Sequence, residues 1–374
     1  MKKVIWVVVA VLVIWGIVAA TKNSNKVKET GPIKIGFIAP LTGDAAAYGE
    51  VVKNGTMLAE KEINARGGIN GRPVEVIYDD GKCNGKDATS ATQKLVNVEK
   101  VKFLLVGECS GGLLAIASFL NQSKVLSLAA IATNPAVADA GDYIFRNAPN
   151  DNNRGTALAN YAKQNYKKVA IMTEQTDYAQ GLRTAFKTQA AANGLEVVAD
   201  EEFTSDTKDY RSMITKVKAT NPDVIFMNPQ TGAAFVRLAT QARELGLKQS
   251  LIGSEFNGPE VAAAGAIIEG TMISVAPGLT ADGKGKAFAE AYKKEFGKEP
   301  AYAYYAGAAY DNLMLLADGI AKEGEDADEV RDFLYNLPSY TGTIGSYSFD
   351  EKGELVGINF VFQKFEGGKF VEVK

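Results

Sequence analysis

Short apolar runs alternate with helical repeats along almost the whole chain, and this alternation constrains the fold more than any other feature. Residues 33–41 form an apolar run closed by Pro40 and Gly43, after which Val52, Gly55, Ala59 and Ile63 recur at helical spacing. The pattern then repeats: strand 74–78, helix 88–98, strand 103–106, helix 112–120, strand 125–129. Such βα units are best satisfied by a parallel sheet with helices on both faces, because right-handed crossovers bury both sides of each strand.

A second series begins after Pro149 and Asn150. It reads as helix 156–165, strand 168–172, helix 178–192 and strand 195–201. Asp209 is expected to cap a helix whose Tyr210, Met213, Ile214 and Val217 share one face and which ends before the turn Asn221-Pro222-Asp223. Strand 224–227, helix 233–245 and strand 251–253 follow. Beyond Pro277 come helices near 286–296, 304–321 and 330–334, then β-like segments at 343–349, 357–364 and 370–374. The expected fold class is α/β, with two doubly wound, Rossmann-like lobes. A length of 374 residues accommodates two or three domains with their own cores.

The first twenty residues differ from the rest. Lys2 and Lys3 precede an uncharged run from Val4 to Ala20, ending in the small residues Ala19 and Ala20. This pattern reads as a signal peptide cut after Ala20, or as an uncleaved membrane anchor with Trp6 and Trp15 near its ends. Both readings put the folded part outside the cytoplasm. With that context the only cysteines, Cys83 and Cys109, are either a structural disulfide or two buried thiols; their spacing is not that of a metal site.

Composition removes several function classes. The chain has no histidine, which eliminates Ser-His-Asp and Cys-His nucleophiles, HExxH zinc sites and imidazole bases. With 41 basic against 44 acidic residues, it has no overall charge that would draw nucleic acid. Two doubly wound lobes instead offer a crevice at the carboxyl ends of their strands, where open α/β sheets bind ligands. The candidates are therefore loop residues after those strands: Thr42, Gly43, Tyr48, Ser110, Thr133, Tyr178, Gln230 and Glu255.

These residues carry a resemblance. Pro40-Leu41-Thr42-Gly43, Tyr48-Gly49, Glu62-Ile63-Asn64, the run Gly67-Gly68-Ile69-Asn70-Gly71-Arg72 and Tyr78-Asp79-Asp80 are similar to the opening of the branched-chain amino acid-binding proteins. The similarity continues through Thr133-Asn134-Pro135, Tyr178-Ala179-Gln180-Gly181, Asn221-Pro222-Asp223, Gln241-Ala242-Arg243, Glu269-Gly270 and Tyr310-Asp311. Those receptors of ABC importers have the type I periplasmic binding protein fold, with three hinge crossovers. The implied organisation is 1–20 signal peptide or anchor, 21–32 linker, 33–150 plus 279–345 first lobe, and 151–278 plus 346–374 second lobe. The crossovers are expected near residues 150, 278 and 345.

The resemblance also implies site roles. Ser110 and Thr133 stand where similar receptors hold the ligand carboxylate, and Glu255 where they meet the ammonium, with the Ile131 carbonyl as a further acceptor. Tyr48 and Tyr178 match aromatic positions of the cleft, and Tyr305 is a further aromatic candidate. Cys83 and Cys109 fall where the leucine-isoleucine-valine receptors have a disulfide. The pocket for the ligand side chain departs from those receptors: Gln230 and Glu108 favour a polar ligand, Ile131 and Phe256 an aliphatic one. The expected partners are a small solute and the transmembrane permease subunits, with no cofactor and a monomeric chain. Two other readings stand beside this one. An enzyme would use Glu108-Cys109-Ser110-Gly111-Gly112 as a nucleophile elbow, although its first glycine and any histidine are missing; a sensor for an amide or small carboxylate would use the same fold.

Overall fold

The computed structural model describes residues 31–373; the expected signal segment 1–20 lies outside the described residues. The chain opens with β1 (Ile33–Ala39), α1 (Ala46–Ala65), β2 (Val74–Asp80), α2 (Gly85–Asn97), β3 (Phe103–Val106), α3 (Ser110–Ser123), β4 (Leu126–Ala129) and β5 (Ile144–Arg146). The five strands form one sheet in the order β2-β1-β3-β4-β5, and every pairing is parallel. Both faces are covered, so β3 and β4 are buried at every residue. The periodic face read from the sequence is the packed one: Val52, Gly55, Ala59 and Ile63 of α1 are all buried.

The second lobe starts with α4 (Asp151–Asn165), β6 (Lys168–Glu174), α5 (Asp177–Asn193), β7 (Glu196–Phe203) and α6 (Arg211–Ala219). It continues with β8 (Val224–Asn228), α7 (Gly232–Glu244), β9 (Ser250–Ser254), α8 (Pro259–Ala262) and β10 (Met272–Val275). Its sheet runs β10-β9-β8-β6-β7, parallel throughout, with two later strands added beyond β10. The expected cap of α6 moves by one residue. Tyr210 occupies the cap position, and Asp209 accepts the Arg211 N–H at 3.0 Å from one step further out.

After β10 the chain returns to the first lobe as α9 (Gly283–Phe296), α10 (Ala303–Glu323) and α11 (Ala327–Tyr335). Helix α10 lies directly on α1. Gly55 makes that approach possible, because a Cβ there would run into the carbonyl of Ala306. Three short strands follow, β11 (Tyr340–Gly342), β12 (Gly345–Phe349) and β13 (Leu355–Val356), in a small antiparallel sheet.

This small sheet corrects one expected boundary. Tyr347 and Phe349 join the same core as Phe37 and Phe103, and the Gly353 carbonyl accepts the Arg146 N–H at 3.0 Å. Residues 346–356 therefore side with the first lobe, and the last crossover falls after Val356 instead of at 345. Strands β14 (Val361–Glu366) and β15 (Lys369–Val373) then complete the second sheet as antiparallel additions. The strand expected from residue 357 begins at Val361, and Gly357 itself takes a φ of +108°, outside the extended region.

Candidate ligand-binding cleft

Strands β1, β3 and β4 hand the chain to the helices and turns that line the cleft. Tyr48 stands in the first turn of α1, and Ser110 opens α3 directly behind Cys109. No side chain caps α3, so the first-turn N–H groups of this helix are left for an anion. Cys109 is tied to Cys83 by a disulfide, which fixes where α3 starts. A Cβ on Gly111 would lie 2.5 Å from Oδ2 of Asp177, the first residue of the second-lobe helix α5, so a larger residue there would push that carboxylate aside.

The second lobe supplies residues from the ends of β8 and β9. Gln230 is held by its backbone N–H, which donates to Glu174 Oε2 at 2.7 Å. Glu255 follows β9 with φ +52°, a left-handed conformation that costs a side-chain-bearing residue on the order of 1–3 kcal/mol. Its own N–H donates to Ser274 O at 3.2 Å, which anchors the strained turn to β10.

All seven residues expected to bind ligand, Tyr48, Ser110, Ile131, Thr133, Tyr178, Gln230 and Glu255, line one cavity between the lobes, together with Cys109 and Tyr305. Its free volume is only about 30 Å³, so the two lobes meet closely around it. Contacts bridge the lobes around it: Tyr48 Oη donates to Glu255 O at 3.2 Å, and Arg237 reaches Asp44 at 3.4 Å. Tyr302 also donates to Glu260 and packs against Tyr48, the two rings tilted by 31° with centres 4.3 Å apart. Four other sequence candidates stay outside. Thr42 donates to Asp80 at 2.6 Å on the surface, and Gly43 is in its exposed loop. Phe256 stacks on Phe235 in the second-lobe core. Glu108 faces away, towards Gly81 and Gly112, and its Oε1 accepts the Cys109 N–H at 3.0 Å.

The polar groups of the cavity divide by charge. Ser110 Oγ accepts the Asn134 N–H at 3.2 Å and keeps its own hydrogen to donate. Thr133 is differently committed: its hydroxyl donates to Asp151 Oδ2 at 2.7 Å. Burial pushes the Tyr178 phenol up to about 12, partly offset by nearby Arg154, so it is neutral and shares a 2.7 Å hydrogen bond with Ser254. Burial raises Tyr48 and Tyr305 as well, so three neutral phenols line the space.

Sequence reasoning missed the ions behind this lining. Arg154, in the first turn of α4, is fully buried. It pairs with Asp151 at 2.8 Å and also with Glu255 Oε1. That same oxygen accepts the Ala276 N–H at 3.0 Å. Among the described residues, Glu255 Oε2 has no hydrogen-bond partner and remains for a cavity ligand. Asp151 is raised by burial, with Arg154 and the Thr133 hydroxyl pulling the other way. The available signal was the i, i+3 spacing of Asp151 and Arg154 immediately after the first crossover.

A larger groove lies on the outer face of the first lobe, lined by Leu58, Phe288 and Met314 among others. It is away from the strand ends, and its Lys61 and Glu295 already pair at 2.6 Å.

Two α/β lobes enclosing a cavity of neutral donors on one side and an ion cluster on the other define a receptor for a small solute. The chain belongs to the periplasmic binding protein family, whose model matches residues 32–369. This is a family of solute-binding proteins, not of enzymes, which sets aside the nucleophile-elbow reading of Ser110. The chain is 32% identical to the Leu/Ile/Val-binding protein BraC3 of Rhizobium johnstonii, over 91% of this chain and 93% of that protein. It is 31% identical to the leucine-, isoleucine-, valine-, threonine- and alanine-binding protein of Pseudomonas aeruginosa, covering 91% and 92%. Among solved structures, it resembles the branched-chain amino acid transporter substrate-binding protein LivJ of Streptococcus pneumoniae in complex with isoleucine. The TM-score is 0.82 at 29% identity, covering 91% of this chain and all of that one.

Proposed function

We propose that this chain captures an α-amino acid, branched-chain or related, between its lobes and delivers it to the membrane-spanning permease of an ABC importer. The observation that carries the reading is the polarity of the cavity. Glu255 Oε2 stands free on the second-lobe side for an ammonium, while Ser110 Oγ–H and the start of α3 offer donors to a carboxylate on the other. Ile131 and the phenol rings leave the intervening space mostly apolar, and Gln230 is its one amide. The names of the relatives support the ligand class, and their transporter partnership supports delivery to a permease. The chain works outside the cytoplasm as a monomer, exported by residues 1–20.

Calorimetry of residues 27–374 against aliphatic L-amino acids, their amides and their deaminated acids tests this. Binding of an aliphatic L-amino acid, with the deaminated acid far weaker, is the expected result. Tighter binding of the amide or the deaminated acid than of the amino acid would favour the second reading, a sensor for amides or small carboxylates. That reading draws on the guanidinium already engaging Glu255.

A further inference from the structure

We infer that Arg154 sets the charge of the ligand this cleft accepts, by cancelling one of two buried carboxylates and leaving room for a single ligand ammonium. The inference rests on the amino acid reading of the site. Arg154 side-chain exposure is zero, and its guanidinium lies between Asp151, also fully buried, and Glu255. Phe360 covers its face, with the ring centre 4.0 Å from the guanidinium carbon. With both carboxylates ionised, the three groups would carry one net negative charge, and the carboxylate oxygen left without a hydrogen bond is Glu255 Oε2.

The position is otherwise unfavourable for a cation. Arg154 occupies the first turn of α4, where the helix dipole disfavours positive charge, and burial disfavours it further. The two carboxylates are what hold it. The remaining groups facing the cluster are the neutral phenols of Tyr48, Tyr178 and Tyr305, and Arg146, which is itself paired with Glu354. None of them adds a net charge. Without Arg154, Asp151 and Glu255 would face each other unneutralised, and the cleft would suit a ligand with two positive groups or would hold a proton between the carboxylates. Arg154 is not among the residues lining the cavity and acts through Glu255, so it is a positioning residue.

The test uses Arg154→Gln, which keeps a hydrogen-bonding side chain and removes the charge, and has two arms. The first needs no ligand. Thermal unfolding of wild type and Arg154→Gln is followed from about pH 5 to about pH 8. Unpaired carboxylates have raised folded-state pKa values, so the deficit of the variant should deepen as pH rises, by about 5 °C or more. Adding Glu255→Gln to the variant should remove the Glu255 share of that slope and leave the share of Asp151, which stays buried without its cation. The second arm titrates L-isoleucine and L-2,4-diaminobutyrate, and the variant should shift the preference towards the diamino acid by about ten-fold or more.

A pH-independent deficit together with an unchanged preference would overturn the assignment. A wild-type protein that binds no amino acid, yet shows the sloping deficit in the variant, would sink the amino acid reading and the ligand half of the inference. It would still support Arg154 as the counter-charge of the cluster.

Discussion

The two sides of the cleft solve the same problem with different materials. The first-lobe side is made of a hydroxyl and helix N–H groups, at Ser110 and the start of α3, and carries no ionised side chain into the cavity. The second-lobe side is made of ions, Asp151, Arg154 and Glu255, buried and tied to one another. Neutral donors cost little to preform. Buried ions cost several kcal/mol each unless paired, so each member of the second cluster depends on the others in a way that Ser110 does not. A ligand should therefore feel damage to the second-lobe side far more than damage to the first.

The largest expected effect follows from that asymmetry. Glu255→Ala removes the proposed ammonium acceptor and leaves a ligand cation poorly paired in a closed cavity. Truncating one member of a buried charge pair typically costs about 2–5 kcal/mol, which is roughly 30-fold to several-thousand-fold in affinity. Arg154 keeps Asp151 as a partner, so the fold should survive with some loss of stability. Titration of the best ligand into the variant, with circular dichroism to verify folding, is the check. A change of less than about two-fold would remove Glu255 from the site.

The same asymmetry explains what could be read from the sequence. The lobes were legible because parallel strands buried on both faces leave continuous apolar runs, as in β3 and β4, and because the α1 stripe has a clear period. β5 was not read, since three residues ending in a charged Arg146 carry no such run. The boundary at 345 failed for a related reason: β12 looks like any amphipathic strand, and only packing shows that Tyr347 and Phe349 belong to the first-lobe core. Among the residues that line the cavity, those directly after strands are marked in the sequence by their position. Arg154 is not so marked, because a charged residue in a helix reads as solvated until the structure buries it between two carboxylates. Glu108 misled in the opposite direction. It follows a strand and is polar, but its carboxyl turns behind α3, away from the cavity.

Glu108 offers a second comparison, between buried acids paired with a cation and a buried acid without one. Burial pushes its pKa up to about 8 from an ordinary 4.5, against the hydrogen bonds that its carboxylate accepts. The folded chain therefore binds a proton that the unfolded chain releases above about pH 4.5, and stability should fall as pH rises between the two values. The slope from this group is at most about 1.4 kcal/mol per pH unit. Glu108→Gln keeps the shape and should flatten the profile, gaining on wild type as pH approaches 8. Denaturant unfolding at several pH values measures it. Equal slopes in the two proteins would show that Glu108 is ionised in the folded state. Ligand affinity should change little, because Glu108 does not line the cavity.

The smallest effect is expected at the neutral end, and it is the sharpest test of the contrast. Ser110→Ala removes one hydroxyl donor to the proposed ligand carboxylate and one acceptor for the Asn134 N–H, which donates to it at 3.2 Å. The first-turn N–H groups of α3 remain, and the disulfide at Cys109 keeps the helix start in place. A single hydrogen bond contributes about 0.5–1.5 kcal/mol net, and one to a charged group about 1.5–3. Since the carboxylate retains its backbone donors, the loss should stay near the low end, roughly three- to ten-fold in affinity. Calorimetry beside Glu255→Ala, with the same ligand and buffer, gives the ratio directly. A Ser110→Ala loss as large as that of Glu255→Ala would mean that the hydroxyl, and not the helix start, carries the carboxylate. The division between a cheap preformed anion end and a costly ionic cation end would then fail.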